Sequence, residues 1–579
     1  MRDPKLPEAP SALSRGILNA AGGLLFLAAV SLLGLHWYNN RQTDFDDAYM
    51  FMRYALHFLD GHGLRWNIGE PPVFGATSIP YVIQLAFSLK LLPFAPEKVL
   101  VLNSAADSLL AVVVMAFSCY ENVQSRWLKS FPLILGGIAF FLTRNPQFLA
   151  HTTYGMDTML AAASNGLMIG SVLRLRRDPS LFHAAAAGVC SWFSVFCRVD
   201  NAIYAVVFPW LVMVLFKVRL QARLVWVGVF VGLMAADAAW KAFVFGGILP
   251  LPFYVKLAGY YRDSFAPVMC TPVRNLKHFF QACLPFLGLA VFSFRGRSFR
   301  LAACFAVPLM LTVLALFQPL HIMGTMGRFF FPGLPFVVIP AVLIFDDWLR
   351  GEAGRDLKLS ALSLTVGLMA ALALVQWGPI ALGKTSTWAA KRTQQMHAGK
   401  YDPQVVTWFK QEGIRDMDWW AAILHMDRIL QKLPEDLVFA VSEDGYLSSR
   451  YPRMKIVDLN GLHDRYLARH GFDAGYVLSH KPDLIWFPHW AYPASIKAFW
   501  NEPSFWQNYD YYPRALIYGV AIRRDSPLHD KIQEAIAAEW SKVYPDTSMD
   551  AEKISGPLKI NREGSPDGVA MVQGYFAKV

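Results

Sequence analysis

Residues 43–78, TDFDDAYMFMRYALHFLDGHGLRWNIGEPPVFGATS, open with Asp44, Asp46 and Asp47 and continue to Arg53 and His57. Phe45, Tyr49, Met52, Leu56 and Leu59 recur at three- and four-residue spacing, which predicts an amphipathic helix at a membrane surface, capped by Thr43 or Asp44. On such a helix Asp46, Met50, Arg53 and His57 share one face, and Asp47, Phe51 and Tyr54 share the adjacent one. The carboxylates then have two uses. They can stay solvated and favour the helix dipole, worth ~0.3–1 kcal/mol each. Alternatively, a partly desolvated one can serve as general base for a hydroxyl nucleophile. Gly61, Gly63 and Gly69 read as turns, because no strand precedes them to build a phosphate-cradling fingerprint.

The elements that must position these groups belong to a membrane protein. Of 579 residues, 55% are apolar and 17% charged, with a mean hydropathy of +0.31, whereas soluble domains carry about 25% charged residues. The net charge of +11 needs no nucleic acid to explain it. The basic residues cluster between apolar runs, in RLRRD at 174–178, KVRLQAR at 217–223, RGRSFR at 295–300 and LRGEAGRDLK at 349–358, which read as inner loops. Cys119, Cys190, Cys197, Cys270, Cys283 and Cys304 show neither metal-ligand nor disulfide spacing and read as small core residues.

A first apolar run over about 17–37 follows Arg2, Lys5 and Arg15 and reads as a retained anchor, placing 38–77 on the outer side. Further runs cover about 79–94, 99–119, 130–148, 157–173, 181–197, 202–216, 224–245, 276–294, 299–317, 333–349 and 360–380. About 11 crossings follow from an inside start and an outside finish. Keeping Arg126 and Lys129 inside requires one net crossing between 77 and 119, although hydropathy offers two runs there. The expected domains are a membrane module over 1–383 and an outer soluble α/β domain over 384–579, joined near LGKTSTWAAKR. Strand-like runs in the latter are LVFAVS at 437–442, KIVDL at 455–459, LIWFP at 484–488 and ALIYGVAI at 515–522. Trp408, Trp419, Trp420, Trp486 and Trp490 either pack or offer flat faces to sugar rings.

DDAYMFMRYALHFLDGHGLRWNIGEPP resembles the opening loop of GT-C glycosyltransferases that take a sugar from a polyprenyl phosphate, in particular the mycobacterial terminal arabinofuranosyltransferase family. Later landmarks follow in order: RNPQFLAHTTYGMDT at 144–158, CRVDN at 197–201, GGILPLPFYVKLAGYY at 246–261, MGRFFFPGLP at 326–335 and VSEDGYLSSRYPRMKIVDLNGLHD at 441–464. CRVDN and Asp157 depart from the commoner family pattern. The resemblance implies a polytopic α-helical GT-C fold with a C-terminal soluble α/β domain, in a bacterial cytoplasmic (inner) membrane. The active site and C-terminal domain would lie on the periplasmic side, with Asp46 and Asp47 catalytic. The implied donor is a polyprenyl-phosphate-linked sugar, of the arabinofuranose class in the finer reading, and the implied acceptor a hydroxyl of an extracytoplasmic glycan, glycolipid or protein. Hexose or aminosugar transfer and protein O-mannosyltransferase-like activity stay open, as does, from another class, a lipid transporter or flippase.

In such a transfer the departing phosphate gains charge that fixed cations must meet. Arg198, Lys256 and Arg328 fall at expected outer ends of spans, where a cation runs against the positive-inside tendency; each also has a snorkelling alternative. His321 beside them is a further phosphate candidate. Arg53, Tyr254, Asp157 and Asp200 are the substrate-binding candidates, with helix caps, ion pairs and an interfacial tyrosine as the plainer readings. No cofactor is required; paired aspartates are compatible with a divalent cation but too few oxygens cluster to predict a metal site. Membrane lipids are the surrounding partners and nucleic acid is not one.

Overall fold

The computed structural model of this chain describes residues 12–257, 272–294, 298–317, 321, 324–352, 419–488, 492–512, 515–516 and 518–543. The run 360–380, the stretch 382–392 with the expected domain boundary, Cys270, Trp408 and Trp490 lie outside them.

Apolar helices dominate the first part. In chain order they are α1 (Ala12–Asn39), α2 (Asp46–Leu59), α3 (Ile79–Leu91), α4 (Pro96–Asn122), α5 (Phe131–Thr143), α6 (Pro146–His151), α7 (Thr158–Arg177), α8 (Leu181–Cys197), α9 (Ala202–Leu215), α10 (Leu220–Phe245), α11 (Leu251–Leu257), α12 (Pro272–Ser293), α13 (Phe299–Ala315) and α14 (Pro335–Glu352). Polar residues start several of them: Ser78, Ser130 and Ser180 accept the Tyr81, Leu133 and His183 N–H groups at the heads of α3, α5 and α8. Among the described residues, five helices are long and apolar enough to span a membrane: Arg15–Asn39, Pro96–Asn122, Thr158–Arg177, Leu220–Phe245 and Pro272–Ser293. The bent pair Thr325–Gly333 and Pro335–Arg350, at 55° to each other, is a sixth if its halves count as one span, and five shorter apolar helices accompany them. Large apolar side chains on the outside, such as Phe243 at 91% and Leu24 at 68% exposure, suit a lipid surround. This is a multi-pass membrane protein.

The two runs between 77 and 119 differ in reach. Helix α3 has 13 residues, about 20 Å at 1.5 Å per residue, against the ~30 Å of a bilayer core. Helix α4 has 27. Of the two, α4 alone is long enough to span, in line with the single net crossing expected there.

The second part is a small α/β domain. It contains α15 (Trp419–Leu430), α16 (Gly445–Arg450) and a five-stranded sheet of β1 (Val438–Val441), β2 (Lys455–Asp458), β3 (Leu484–Trp486), β4 (Tyr509–Tyr512) and β5 (Val520–Arg523), in the order β2-β1-β3-β5-β4. Strand β1 runs parallel to β2 and β3, while β5 is antiparallel to β3 and β4. Three strands fall within the runs read from sequence and β5 overlaps the fourth, running one residue past it; β4, YDYY, is an addition. Trp486 is packed inside and donates its indole N–H to the Leu516 carbonyl, so it offers no face to a sugar.

Helix α2 departs from expectation. Instead of lying on a membrane surface, it is buried on most sides, and its Phe45, Tyr49, Met52 and Ala55 belong to the same apolar cluster as Phe439, Leu447 and Ile456 of the α/β domain. A separate cluster, built from α4, α7, α9, α12 and α14, forms the core of the membrane bundle. The amphipathic pattern is real, but protein rather than lipid covers the apolar face.

Candidate active site

The head of α2 is set by a turn. Phe45 takes the N-cap position with extended backbone and no side-chain cap bond, and Thr43 Oγ1 accepts the Phe45 N–H at 3.1 Å. Neither Thr43 nor Asp44 is therefore the cap itself. Asp46 and Asp47 begin the first turn and diverge by about 100° around the axis.

Asp46 points into the α/β domain. Its two oxygens accept the Gly445 and Tyr446 N–H groups at 2.8 and 2.7 Å, fastening the start of α16 to the start of α2. The backbones approach so closely that a Cβ on Gly445 would collide with the Asp46 carbonyl. Burial pushes the Asp46 carboxyl up to about 6, against the pull of those two N–H bonds and with the help of the Asp47 charge. This carboxylate is a clasp rather than a group presented to a substrate.

Asp47 points the other way, into a small cleft also lined by Gly75, Thr77, Lys256, Arg328, Leu462 and His463. Arg328 Nη1 donates to Asp47 Oδ2 at 2.8 Å, and the Arg328 guanidinium lies over the Phe45 and Phe329 rings at 5.3 and 5.6 Å. The break between the bent helices Thr325–Gly333 and Pro335–Arg350 delivers this arginine: Met326 sits at φ 54° and its carbonyl bonds His151 Nε2 at 3.0 Å, turning the chain before Arg328. Lys256 comes from α11, whose first N–H, that of Leu251, is held by the Phe74 carbonyl at 2.7 Å; its ammonium lies 5.6 Å from the Phe329 ring. A carboxylate and two cations thus share one small space between the bundle and the α/β domain.

The other sequence candidates lie elsewhere. Arg198 is buried and its charge is matched within the protein, bidentate to Asp200 at 2.9 and 2.7 Å and to Asp157 at 3.2 Å. It reaches the cleft only indirectly, because Asp157 accepts the Thr77 hydroxyl at 2.8 Å. His321 has both ring nitrogens engaged, Nε2 with the Leu316 carbonyl at 2.6 Å and Nδ1 with the Asn275 amide at 3.0 Å, leaving neither for a phosphate. Arg53 spends its donors on the carbonyls of Trp66, Ser448, Tyr451 and Met454 and on Asn67 Oδ1, and so clasps the α/β domain. Tyr254 lies beside Arg469, 5.8 Å from its guanidinium, and does not line the cleft.

Sequence reasoning passed over Thr77, Glu443, Asp444 and His463. Burial holds Glu443 up to about 8, aided by the Asp46 and Asp47 charges. A usable signal existed: the acids after β1 and β2 leave the carboxyl ends of adjacent parallel strands, where α/β sheets gather functional loops.

No family model and no curated protein matches the chain. Two solved structures share part of its shape. ArnT from Cupriavidus metallidurans bound to undecaprenyl phosphate superposes at a TM-score of 0.44 with 12% identity, over 76% of this chain and 86% of that one. The apo state of ArnT from the same organism gives 0.43 and 13%, with the same coverage. Likeness at this level carries no argument about what this chain does, which has to come from its own residues.

Proposed function

We propose that this chain is a GT-C-type glycosyltransferase that moves a sugar, arabinofuranose in the finer reading, from a polyprenyl-phosphate donor to an acceptor hydroxyl on the outer side of a bacterial inner membrane. One observation carries the reading: the Asp47 carboxylate shares a cleft with Lys256 and Arg328 where the membrane bundle meets the α/β domain. A lipid-borne phosphate needs cations within reach of the bilayer, and an attacking alcohol needs a base beside them.

In this scheme Asp47 takes the proton of the acceptor hydroxyl as its oxygen bonds the anomeric carbon. The bond from that carbon to the phosphate oxygen breaks, and Lys256 and Arg328 meet the charge left on the lipid phosphate. Arg328 orients Asp47 beforehand through the 2.8 Å bond between them. Asp46, Arg53 and the Arg198–Asp157–Asp200 group position these residues rather than touch the reacting atoms. The sequence resemblance supports the arabinofuranose class; the acceptor is a glycan, glycolipid or protein.

The test is turnover by purified protein offered labelled polyprenyl-phosphate arabinofuranose, hexose and aminosugar in parallel, together with mass spectrometry of the lipid that co-purifies. Transfer of arabinofuranose alone, lost in Asp47→Asn, is the expected result. Transfer of a different sugar corrects the donor, and full transfer by Asp47→Asn removes the proposed base.

A further inference from the structure

The parallel register of β1 and β2, which sets Val441 opposite Asp458, sends the segments after both strands out at the same end of the sheet. Asp444 follows β1 by three residues, and Asp458 and His463 follow along β2, so that one ligand atom from each lies within 4.8 Å of the others. All three side chains are buried, at 0, 2 and 4% exposure.

Two of the three are locked in place. Asp458 Oδ1 accepts the Asn460 and Gly461 N–H groups at 2.6 and 3.2 Å, and Oδ2 accepts the His463 N–H at 2.6 Å. The His463 ring stacks on Trp66 at 3.6 Å between centroids, and its Nδ1 meets the Tyr54 hydroxyl at 3.1 Å. Among the described residues, both oxygens of Asp444 and the Nε2 of His463 have no hydrogen-bond partner. Carboxylates are almost never buried in this way unless something positive or donating meets them. Arg53 places its charge nearby but gives Asp444 no hydrogen bond, because its donors go to carbonyls and Asn67. The charges of Asp46 and Glu443 act on the same place.

We infer that Asp444, Asp458 and His463 bind one divalent cation of the Mn²⁺ or Zn²⁺ type. Mg²⁺ and Ca²⁺ favour all-oxygen shells, whereas two carboxylates with one imidazole suit Mn²⁺ and Zn²⁺. Nε2 ligates when the ring proton sits on Nδ1 and points at the Tyr54 oxygen, and such an outer hydrogen bond orients metal-bound imidazoles. The cation would tie the segment after β1, clasped to α2 by Asp46, to the turn carrying Leu462 and His463, which is one wall of the cleft. The inference stands whether or not the chain transfers sugars.

Tag-free full-length protein in detergent, stripped with EDTA and dialysed, tests it with Mn²⁺, Zn²⁺, Mg²⁺ and Ca²⁺ added singly. The readouts are metal per chain by mass spectrometry and the melting temperature. One Mn²⁺ or Zn²⁺ per chain is expected, with a rise in melting temperature and at least tenfold weaker binding of Mg²⁺ and Ca²⁺. Asp444→Asn should lose at least tenfold in affinity and melt at the same temperature with or without EDTA. His463→Gln gives the same reading if Asp444→Asn does not fold. A wild type whose melting ignores both EDTA and added metal overturns the inference without any variant. So does an Asp444→Asn protein that is more stable than wild type throughout, since that marks the carboxylate as a buried burden with no cation.

Discussion

The two sides of α2 make opposite use of similar residues. On the side facing the α/β domain, Asp46 and Arg53 bond to backbone groups, surrounded by an apolar core that runs without interruption into the sheet. On the other side Asp47, one residue along, faces a cleft and an arginine from the bent helix pair Thr325–Gly333 and Pro335–Arg350. Adjacent carboxylates on one helical turn therefore differ in task because of what stands opposite them. A charged group fully bonded to backbone holds the fold; one left beside a cavity is available to a substrate.

Four experiments break or sharpen this contrast. The largest effect belongs to Arg53→Met, which strips donors from the carbonyls of Trp66, Ser448 and Met454. At about 1–3 kcal/mol for each buried acceptor left unpaired, the seam should open, read as a large fall in melting temperature and rapid proteolysis of the α/β domain. An Arg53→Met protein of normal stability would show that this side of α2 is not a clasp.

Asp47→Asn comes next, with transfer reduced by about 10²–10⁴-fold, the usual contribution of a general base, and a melting temperature shifted far less than in Arg53→Met. Equal losses of stability in the two variants would erase the distinction between the sides. Asp46→Asn should do the reverse of Asp47→Asn. The amide sets an NH2 donor where a carboxylate oxygen met one of the Gly445 and Tyr446 N–H groups, so stability falls by about 1–3 kcal/mol in a denaturant titration, while turnover per folded molecule falls far less than in Asp47→Asn.

The smallest effect is on pH dependence. The Asp46 carboxyl is raised by burial from 3.8 to about 6, so the folded chain holds this proton more tightly than the unfolded chain does. Its stabilising contribution is complete below pH ~4 and is lost as pH rises through about 6. The stability gap between wild type and Asp46→Asn should accordingly be widest near pH 4 and narrow toward pH 7 in melting curves. A gap that widens with pH would mean that the two N–H bonds outweigh desolvation.

Much of the architecture was legible because it depends on local composition. Long apolar runs gave helices close to the expected bounds, as over Leu181–Cys197, where the run and the helix coincide. Four of the five strands fell within or overlapped runs of β-branched and aromatic residues, while YDYY was passed over because a short polar-aromatic edge strand carries no alternation of its own. The positive-inside argument singled out Arg198, Lys256 and Arg328 alike, since it registers a cation in an unexpected place and not the partner that answers it. Only Lys256 and Arg328 reached the cleft; Arg198 was already matched by Asp157 and Asp200.

By itself the sequence determined that the chain crosses a membrane repeatedly, that an α/β domain follows, and that an amphipathic helix opening on two aspartates comes after the first span, since hydropathy and periodicity are properties of neighbours along the chain. The tertiary structure alone decided which aspartate faces the cleft and which acids meet a histidine. Asp47 finds Arg328 across 281 residues and Asp46 finds Gly445 across 399. Contacts at such separations are set by how helices and strands pack, which no local pattern encodes.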